Sequence, residues 1–266
     1  MPSTAYSRES SSFTYCLDES NIWSFVKTNL DEFPNEDSDV MPGVRWGNYC
    51  QLFTPSFWKL QFILASSKAV TINHRLSNSI LEEIIVCLLG GYGIPSEIGI
   101  AAFIRLKSQD LCSPGIGFEE IYEVLSEPFE LQQGKKIKYR FAKQKSRFIH
   151  KLLNREDIDL IPTDCDLTLR NWLLSIDGVG LKTASWITRN WLSSNKVAII
   201  DIHLLRAGVL TGFFEPGVNI NRDYLKLEKQ YLLFCDGIGV SASDMDAIIW
   251  DYMKRNNRFA IQQFNS

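Results

Sequence analysis

A short glycine turn lies between two segments with helical periodicity, and this turn restricts the fold more than any other feature. It reads IDGVGLK at 176–182, after TLRNWLLSI and before LKTASWITRNWL. Glycine permits positive φ angles and lets a ligand approach the backbone closely. The helix that begins after the turn directs its unpaired N–H groups outward, an arrangement suited to binding phosphate. An ordinary helix–helix connection fits the turn as well.

Other stretches of the chain also carry apolar residues at helical spacing. Pro55 indicates a helix start, Gly90 a helix end, and Pro95 the first turn of a further helix. The basic segment 135–155 is also predicted to be helical. No alternating strand series and no internal repeat occurs in the sequence, so the sequence predicts a mainly α fold.

Charge is distributed unevenly along the chain, although the formal net charge is only −3. Residues 1–40 hold eight acids and two bases, whereas 135–155 hold nine bases and no acid. We interpret 1–40 as an acidic arm with one helix, ESNIWSFVKTNLDEF, and 41–266 as a helical domain. The basic segment indicates an anionic partner.

The spacing of the cysteines and the length of the apolar runs indicate the cellular compartment. The six cysteines form no CxxC pair, which favours reduced thiols in a cytoplasmic protein over a disulfide framework. The N-terminus lacks the apolar core of a signal peptide. The longest apolar run, IIVCLLGGYGI, is too short to span a bilayer. We expect a cytoplasmic protein, with no membrane partner, that acts as a monomer.

Two charged residues flank the helix after the turn. From Leu181 to Leu192 this helix rises about 17 Å at ~1.5 Å per residue. After a polar stop, the apolar strip 196–200 can return about 17 Å at ~3.3 Å per residue. If the strip folds back along the helix and is buried there, Asp201 lies near Lys182. Alternatively, Asp201 is only a helix cap and Lys182 only a solvated lysine.

The segment IDGVGLKTASWI…VAIIDIH resembles the helix-hairpin-helix (HhH-GPD) DNA glycosylases, in particular the 8-oxoguanine branch. The similar features are the Gly-Val-Gly hairpin at about 166–192, the lysine two residues on, and Asp-x-His after 19 positions. The resemblance covers roughly 75–255. It implies a two-lobed helical fold with the active site in a cleft between the lobes. Asp177 departs from the family, which usually has proline there.

The resemblance implies a bifunctional DNA glycosylase and AP lyase that excises oxidised guanine. Lys182 would attack the sugar and form a Schiff base, which permits β-elimination. The amine must be neutral to attack, which requires burial against the attraction of Asp201. Asp201 would stabilise positive charge on the sugar. Gly178, Val179 and Gly180 would hold the DNA backbone, with His203 either beside it or simply buried in its helix.

The extracted base needs an aromatic face and a polar group. Asp246 and Trp250 are four residues apart on one helix face, and archaeal relatives of the family use a similar Asp-x3-Trp pair. An amphipathic helix that buries Trp250 is the structural alternative, and Asp244 competes with Asp246. Trp186, where the family often has a smaller side chain, would line the pocket. Trp46 would supply a second wall.

The remaining contacts and cofactors follow the same resemblance. The basic segment would contact phosphates flanking the lesion; the residues concerned are Lys143, Lys145 and Arg147. The relatives that carry an iron–sulfur cluster use four C-terminal cysteines, and only Cys235 is present here. We therefore expect no cluster and no catalytic metal, with at most a structural monovalent cation at the hairpin.

Two other functions fit the sequence. One is a non-catalytic helix-hairpin-helix module that binds modified DNA. The other keeps the fold but acts on a different modified guanine in antiviral (CBASS-associated, antiphage) defence, which Trp186 and the acidic arm favour. DNA with a damaged or modified guanine is the expected partner in each case.

Overall fold

The structure is a computed structural model that describes residues 24, 27–28, 33–66, 75–91, 93–130, 134 and 136–265. These residues are mainly helical, as the sequence predicted. The α-helices are α1 (Pro55–Ser66), α2 (Ile80–Leu89), α3 (Ser96–Lys107), α4 (Phe118–Ser126), α5 (Ala142–Leu153), α6 (Asp166–Leu174), α7 (Leu181–Leu192), α8 (Ile202–Thr211), α9 (Ile220–Gly237), α10 (Ala242–Arg255) and α11 (Asn257–Asn265). Within the described ranges, no helix is long and apolar enough to cross a bilayer.

Short strands and one 3-10 helix complete the described elements. The strands form two antiparallel pairs: β1 (Asp39–Met41) with β2 (Val44–Arg45), and β3 (Phe129–Glu130) with β4 (Lys136–Ile137). The 3-10 helix is Ile158–Leu160.

Helix boundaries follow the local signals in the sequence. α1 begins at Pro55, and the Thr54 hydroxyl accepts a hydrogen bond from the backbone N–H of Phe57 at 3.1 Å. α2 ends at Leu89, immediately before Gly90. Pro95 precedes α3. The predicted start at Pro55 and end at Gly90 are confirmed, whereas Pro95 is the N-cap of α3 and not part of its first turn. The helix predicted in the acidic arm lies largely outside the described residues.

The basic segment is only partly helical, which corrects the prediction of one helix over 135–155. α5 begins at Ala142, and Lys136–Ile137 form the strand β4 instead. The Tyr139 hydroxyl donates to the carbonyl of Leu89 at 2.5 Å and is buried. Strand pairing and this tether hold the backbone out of the helical conformation before α5.

Two hydrophobic cores organise the chain. The first core is built from α2 to α7, with Ile85, Leu89 and Ile149 fully buried. The second core combines both ends of the described chain: β2 and α1 pack with α8 to α11. These cores are the two lobes that the sequence predicted. The boundary expected at residue 40 falls inside β1, which packs on the end of α9.

Two buried ion pairs join the lobes. Arg170 on α6 lies 2.5 Å from Glu228 on α9, and Arg189 on α7 lies 2.6 Å from Asp246 on α10. Both arginines come from the helices that flank the glycine turn. Both acids come from the second core, so the turn and its helices are attached to that core by charge as well as by packing.

Candidate active site

The hairpin, which we define as α6, the turn 175–180 and α7, is shaped by its glycines. Gly178 has φ of +87°, a conformation that favours glycine. A Cβ at this position would collide with the ring of Phe148 on α5. Gly180 caps α7, and an added Cβ there would meet open space. The turn therefore packs on one side and leaves the start of α7 open on the other.

The strip 196–200 is buried over its last four residues, as the sequence predicted. Val197, Ala198, Ile199 and Ile200 are all buried, with at most 3% of each residue exposed. The strip has no regular secondary structure. Because it is buried, it leaves little freedom in where Asp201 emerges.

Asp201 is the N-cap of α8. Its Oδ1 accepts hydrogen bonds from the backbone N–H groups of His203 at 2.8 Å and Leu204 at 2.9 Å. Both capping bonds end on Oδ1, so Oδ2 lies outside the cap. The capping role and a role in stabilising charge on a sugar are therefore compatible.

Lys182 is the second residue of α7, and its side chain is exposed. This differs from the burial expected for a neutral amine, because the side chain extends from the open side of the turn. Lys182 and Asp201 both act electrostatically on His203 and on Asp246. The structure thus places Lys182, Asp201, His203 and Asp246 in one neighbourhood.

Asp246 is a buried carboxylate rather than an open one. Its Oδ2 lies 2.6 Å from Arg189 Nη2, and each side chain is less than one-tenth exposed. Burial raises the pKa of Asp246 to about 7, Arg189 lowers it, and the nearby charge of Asp201 raises it. Burial therefore favours the neutral carboxyl of Asp246, and Arg189 favours its ionised form.

The exposed ring of Trp250 contacts the half-buried ring of His203. Trp250 is 42% exposed, so the alternative in which α10 buries this ring does not describe it. The ring centroids of Trp250 and His203 are 6.2 Å apart in an edge-to-face arrangement. Lys254 Nζ lies 4.3 Å from the Trp250 ring centroid. Burial lowers the pKa of His203, which favours a neutral imidazole.

Trp186 and Trp46, the other two tryptophans predicted to line the base pocket, pack against different cores. Trp186 is partly buried against the first core, and its Nε1 is buried with no hydrogen-bond partner among the described residues. Trp46 is buried in the second core. It lines a surface cavity of about 440 Å³ beside Lys59 and Asp236. Of the described residues that line this cavity, none is Lys182, Asp201, Asp246 or Trp250.

The predicted phosphate contacts on α5 separate into two groups. Lys143 and Arg147 are exposed and lie four residues apart, on one helix face. Lys145 points elsewhere, because its Nζ donates to the carbonyl of Gly90 at 3.2 Å. Burial lowers the pKa of Lys145. Of the three predicted residues, Lys143 and Arg147 thus present their cations to solvent.

The hairpin is also tied to α5 by charge. Lys151 Nζ lies 2.6 Å from the carboxylate of Asp177 in the turn. Asp177 is the position where the sequence departs from the family, and its negative charge now has a counter-charge beside it. This ion pair therefore offsets part of the negative charge at the turn.

Three further residues at the site were not singled out by the sequence. Arg189 lies two turns after Lys182 on the same helix, a spacing that could have indicated it. Tyr224 and Glu228 on α9 hydrogen-bond to the strip before Asp201. Their i, i+4 spacing shows only that they share a helix face.

A lysine at the start of a helix after a glycine turn, beside a capping aspartate, is the arrangement of a helix-hairpin-helix DNA glycosylase. The family model Ogg-HhH, described as 8-oxoguanine DNA glycosylase, matches residues 70–240. The chain belongs to this family.

Curated relatives have the same description. An 8-oxoguanine DNA glycosylase/AP lyase of Fusobacterium nucleatum is 28% identical over 160 residues, which cover 56% of this chain and 68% of the relative. Another of the same name, from Metallosphaera sedula, is 26% identical over 199 residues, covering 72% and 90%.

Solved structures of similar proteins have a TM-score of 0.47 to this chain. One is the Methanocaldococcus jannaschii 8-oxoguanine glycosylase/lyase in complex with 15mer DNA containing 8-oxoguanine, 24% identical, covering 64% of this chain and 78% of that one. Another is the 8-oxoguanine DNA glycosylase of Thermotoga maritima, 25% identical, covering 66% and 79%.

Proposed function

We propose that this protein is an 8-oxoguanine DNA glycosylase with AP lyase activity, and that Lys182 and Asp201 perform the chemistry. The observation that carries the proposal is the common neighbourhood of these two residues. Lys182 stands at the open end of the hairpin, and Asp201 is fixed by the buried strip and by its cap. Membership of the Ogg-HhH family supports the same assignment.

The reaction begins at the anomeric carbon of the damaged nucleotide. The bond from this carbon to the base breaks, and its electron pair leaves with the base, which takes up a proton. Asp201, through the oxygen outside its cap, stabilises the positive charge that develops on the sugar. The neutral amine of Lys182 forms a bond to the carbon and loses a proton. DNA over the site excludes water from this exposed amine and so favours its neutral form.

Strand cleavage follows from the same adduct. When the sugar ring opens, the adduct becomes a Schiff base between Lys182 and the sugar. The Schiff base acidifies the neighbouring sugar C–H. Loss of that proton expels the 3′ phosphate by β-elimination, and water then releases the lysine.

The base pocket is proposed to combine Asp246 with Trp250. A carboxylate accepts from N1–H and N2–H₂ of a guanine, a pair of donors that adenine and thymine lack on one edge. Arg189 favours the ionised form of Asp246, which this role requires. The exposed Trp250 ring offers a face on which the extracted base can stack. Trp186, one turn after Lys182 on α7, is also proposed to line this pocket.

The DNA backbone is proposed to lie across the hairpin and α5. Gly178 and Gly180 are proposed to offer their backbone N–H groups beside the start of α7, while the N–H of Val179 donates to the carbonyl of Ile176 at 3.1 Å. His203 is proposed to lie near the extracted nucleotide, and Lys143 and Arg147 to contact flanking phosphates. We further propose that the protein acts in the cytoplasm and that it is a monomer. Light scattering of the free protein would test the oligomeric state.

Borohydride trapping on an 8-oxoguanine duplex tests the catalytic assignment. Wild type should form a covalent complex with the DNA, and Lys182→Gln should form none. Lys226→Gln is the matched control, because Lys226 lies on the surface and pairs with Glu215. A wild type that does not crosslink, or equal crosslinking by Lys182→Gln, contradicts the proposal.

The same experiment separates the other functions. A module that only binds DNA would retain affinity in Lys182→Gln and Asp201→Asn, while wild type would neither crosslink nor cut. An enzyme for a different modified guanine would crosslink to that base and not to 8-oxoguanine. Duplexes that each carry one modified guanine distinguish these outcomes.

A further inference from the structure

We propose that Tyr224 and Glu228 are positioning residues that fix Asp201 through the backbone of the strip 196–200. The inference rests on the proposed function only in assigning Asp201 a role in the reaction. Neither residue reaches the reacting atoms in this proposal, because both act on the chain segment that leads into the α8 cap.

The strip needs polar partners because it is buried and has no strand beside it. Buried backbone N–H and C=O groups are costly when they are left unpaired. The Tyr224 hydroxyl donates to the carbonyl of Ala198 at 2.8 Å and accepts from the N–H of Ile200 at 3.2 Å. The Tyr224 hydroxyl thus binds the backbone of both Ala198 and Ile200, and Ile200 directly precedes Asp201.

Glu228 supplies a further contact to the strip. Its Oε1 accepts from the N–H of Ala198 at 2.9 Å. Its Oε2 lies 2.5 Å from Arg170 on α6. α6 is the first helix of the hairpin that presents Lys182. One buried carboxylate therefore ties the support of Asp201 to the hairpin that carries Lys182.

Tyr224 suits this role chemically. Burial raises the pKa of its phenol, so the hydroxyl stays protonated and remains a donor to Ala198. A displacement of about 1 Å in a reacting group can slow an enzyme by about 100-fold. Loosening the strip would move Asp201 relative to Lys182 while leaving the DNA-binding surface on α5 and the turn in place.

Tyr224→Phe is the decisive variant because it removes only the hydroxyl. Tyr139→Phe is the matched control, since the Tyr139 hydroxyl is also buried and donates to a backbone carbonyl, that of Leu89 in the first core. Glu228→Gln is a second variant, which keeps an acceptor for Ala198 and loses the charge that pairs with Arg170.

Two measurements decide the outcome. In hydrogen exchange, backbone amides of residues 197–204 should exchange at least about tenfold faster in Tyr224→Phe than in wild type. Their exchange rates in Tyr139→Phe should equal those of wild type. In single-turnover assays, excision of 8-oxoguanine by Tyr224→Phe should slow by about 10- to 100-fold with unchanged Kd for DNA. Glu228→Gln should lie between Tyr224→Phe and wild type in both.

The two measurements fail for different reasons. Unchanged exchange at 197–204 overturns the positioning role, whatever the activity. Equal slowing in Tyr139→Phe, at a similar loss of Tm, also overturns it, because the effect would then be general destabilisation. If wild type does not excise 8-oxoguanine, the proposed function fails, and the exchange measurement still decides whether Tyr224 holds the strip.

Discussion

Removing the positive charge of Arg189 should make the stability of the protein depend on pH over a wider range. Arg189 and Asp246 form an ion pair of 2.6 Å in which both side chains are more than nine-tenths buried. Burial raises the pKa of Asp246 from 3.8 to about 7, although Arg189 opposes this rise. Arg189→Met keeps an unbranched side chain without the charge, so it should raise that pKa further.

The sign follows from proton binding. A raised carboxyl pKa means that the folded protein keeps a proton which the unfolded chain has released, so the free energy of unfolding falls as pH rises between the two pKa values. In wild type this fall ends near a pH of about 7. In Arg189→Met it should continue at about 1.4 kcal/mol per pH unit, until the higher pKa is passed.

The size of the expected stability difference depends on the pKa of Asp246 in wild type. Between about pH 7 and about pH 8, wild type loses only about 0.3 kcal/mol from this group, whereas the variant loses about 1.3 kcal/mol. The difference in stability between the two proteins should therefore grow by about 1 kcal/mol. At about pH 5 the carboxyl is protonated in both, and the variant should lose only a hydrogen bond and some packing, about 1–3 kcal/mol.

Urea unfolding followed by tryptophan fluorescence, repeated from about pH 5 to about pH 8, measures this difference. The control compares Arg189→Met/Asp246→Asn with Asp246→Asn, in which no carboxyl titrates and the difference should stay constant. A constant difference between Arg189→Met and wild type over the same range would refute the reasoning.

Three other perturbations have defined outcomes. Gly178→Ala should reduce the free energy of unfolding by at least about 1 kcal/mol and so lower Tm. Gly178 has φ of +87°, and the added Cβ would meet Phe148. An unchanged Tm would contradict this. Trp250→Ala should slow excision of 8-oxoguanine by about 10- to 100-fold, from lost stacking of about 1–3 kcal/mol, and leave cleavage of a preformed abasic site unchanged; equal slowing on both substrates would exclude base recognition. Lys143→Gln and Arg147→Gln should each reduce the slope of log Kd against log salt by about 1, and an unchanged slope would exclude a phosphate contact.

Local signals in the sequence were sufficient for much of the fold. Periodicity predicted the helices, and Pro55 and Gly90 lie where α1 begins and α2 ends. Chain length between Lys182 and Asp201, together with the apolar strip, predicted that both ends would meet. Each of these depends on neighbouring residues and on distances along a helix, which a sequence contains directly.

Contacts between segments that are far apart in the sequence could not be predicted from local signals. Arg189 and Asp246 are separated by 57 positions, and nothing local pairs them. Tyr139 holds the chain extended before α5 through a carbonyl 50 positions away, so the basic segment seemed more helical than it is. Local sequence likewise did not show that Trp46 lines a cavity with Lys59 and Asp236.

The two buried ion pairs between the lobes also determine which molecule adjusts on binding. Separating the hairpin from the second core would strip Arg170 and Arg189 of their counter-charges, and breaking one buried pair costs about 3–5 kcal/mol. The seam between the lobes therefore resists opening, and the deformation falls on the nucleic acid. Under the proposed function, a nucleotide would rotate out of its stack to reach Asp246 and Trp250. How readily each base leaves the duplex then becomes part of the selection, before any group of the protein has touched it.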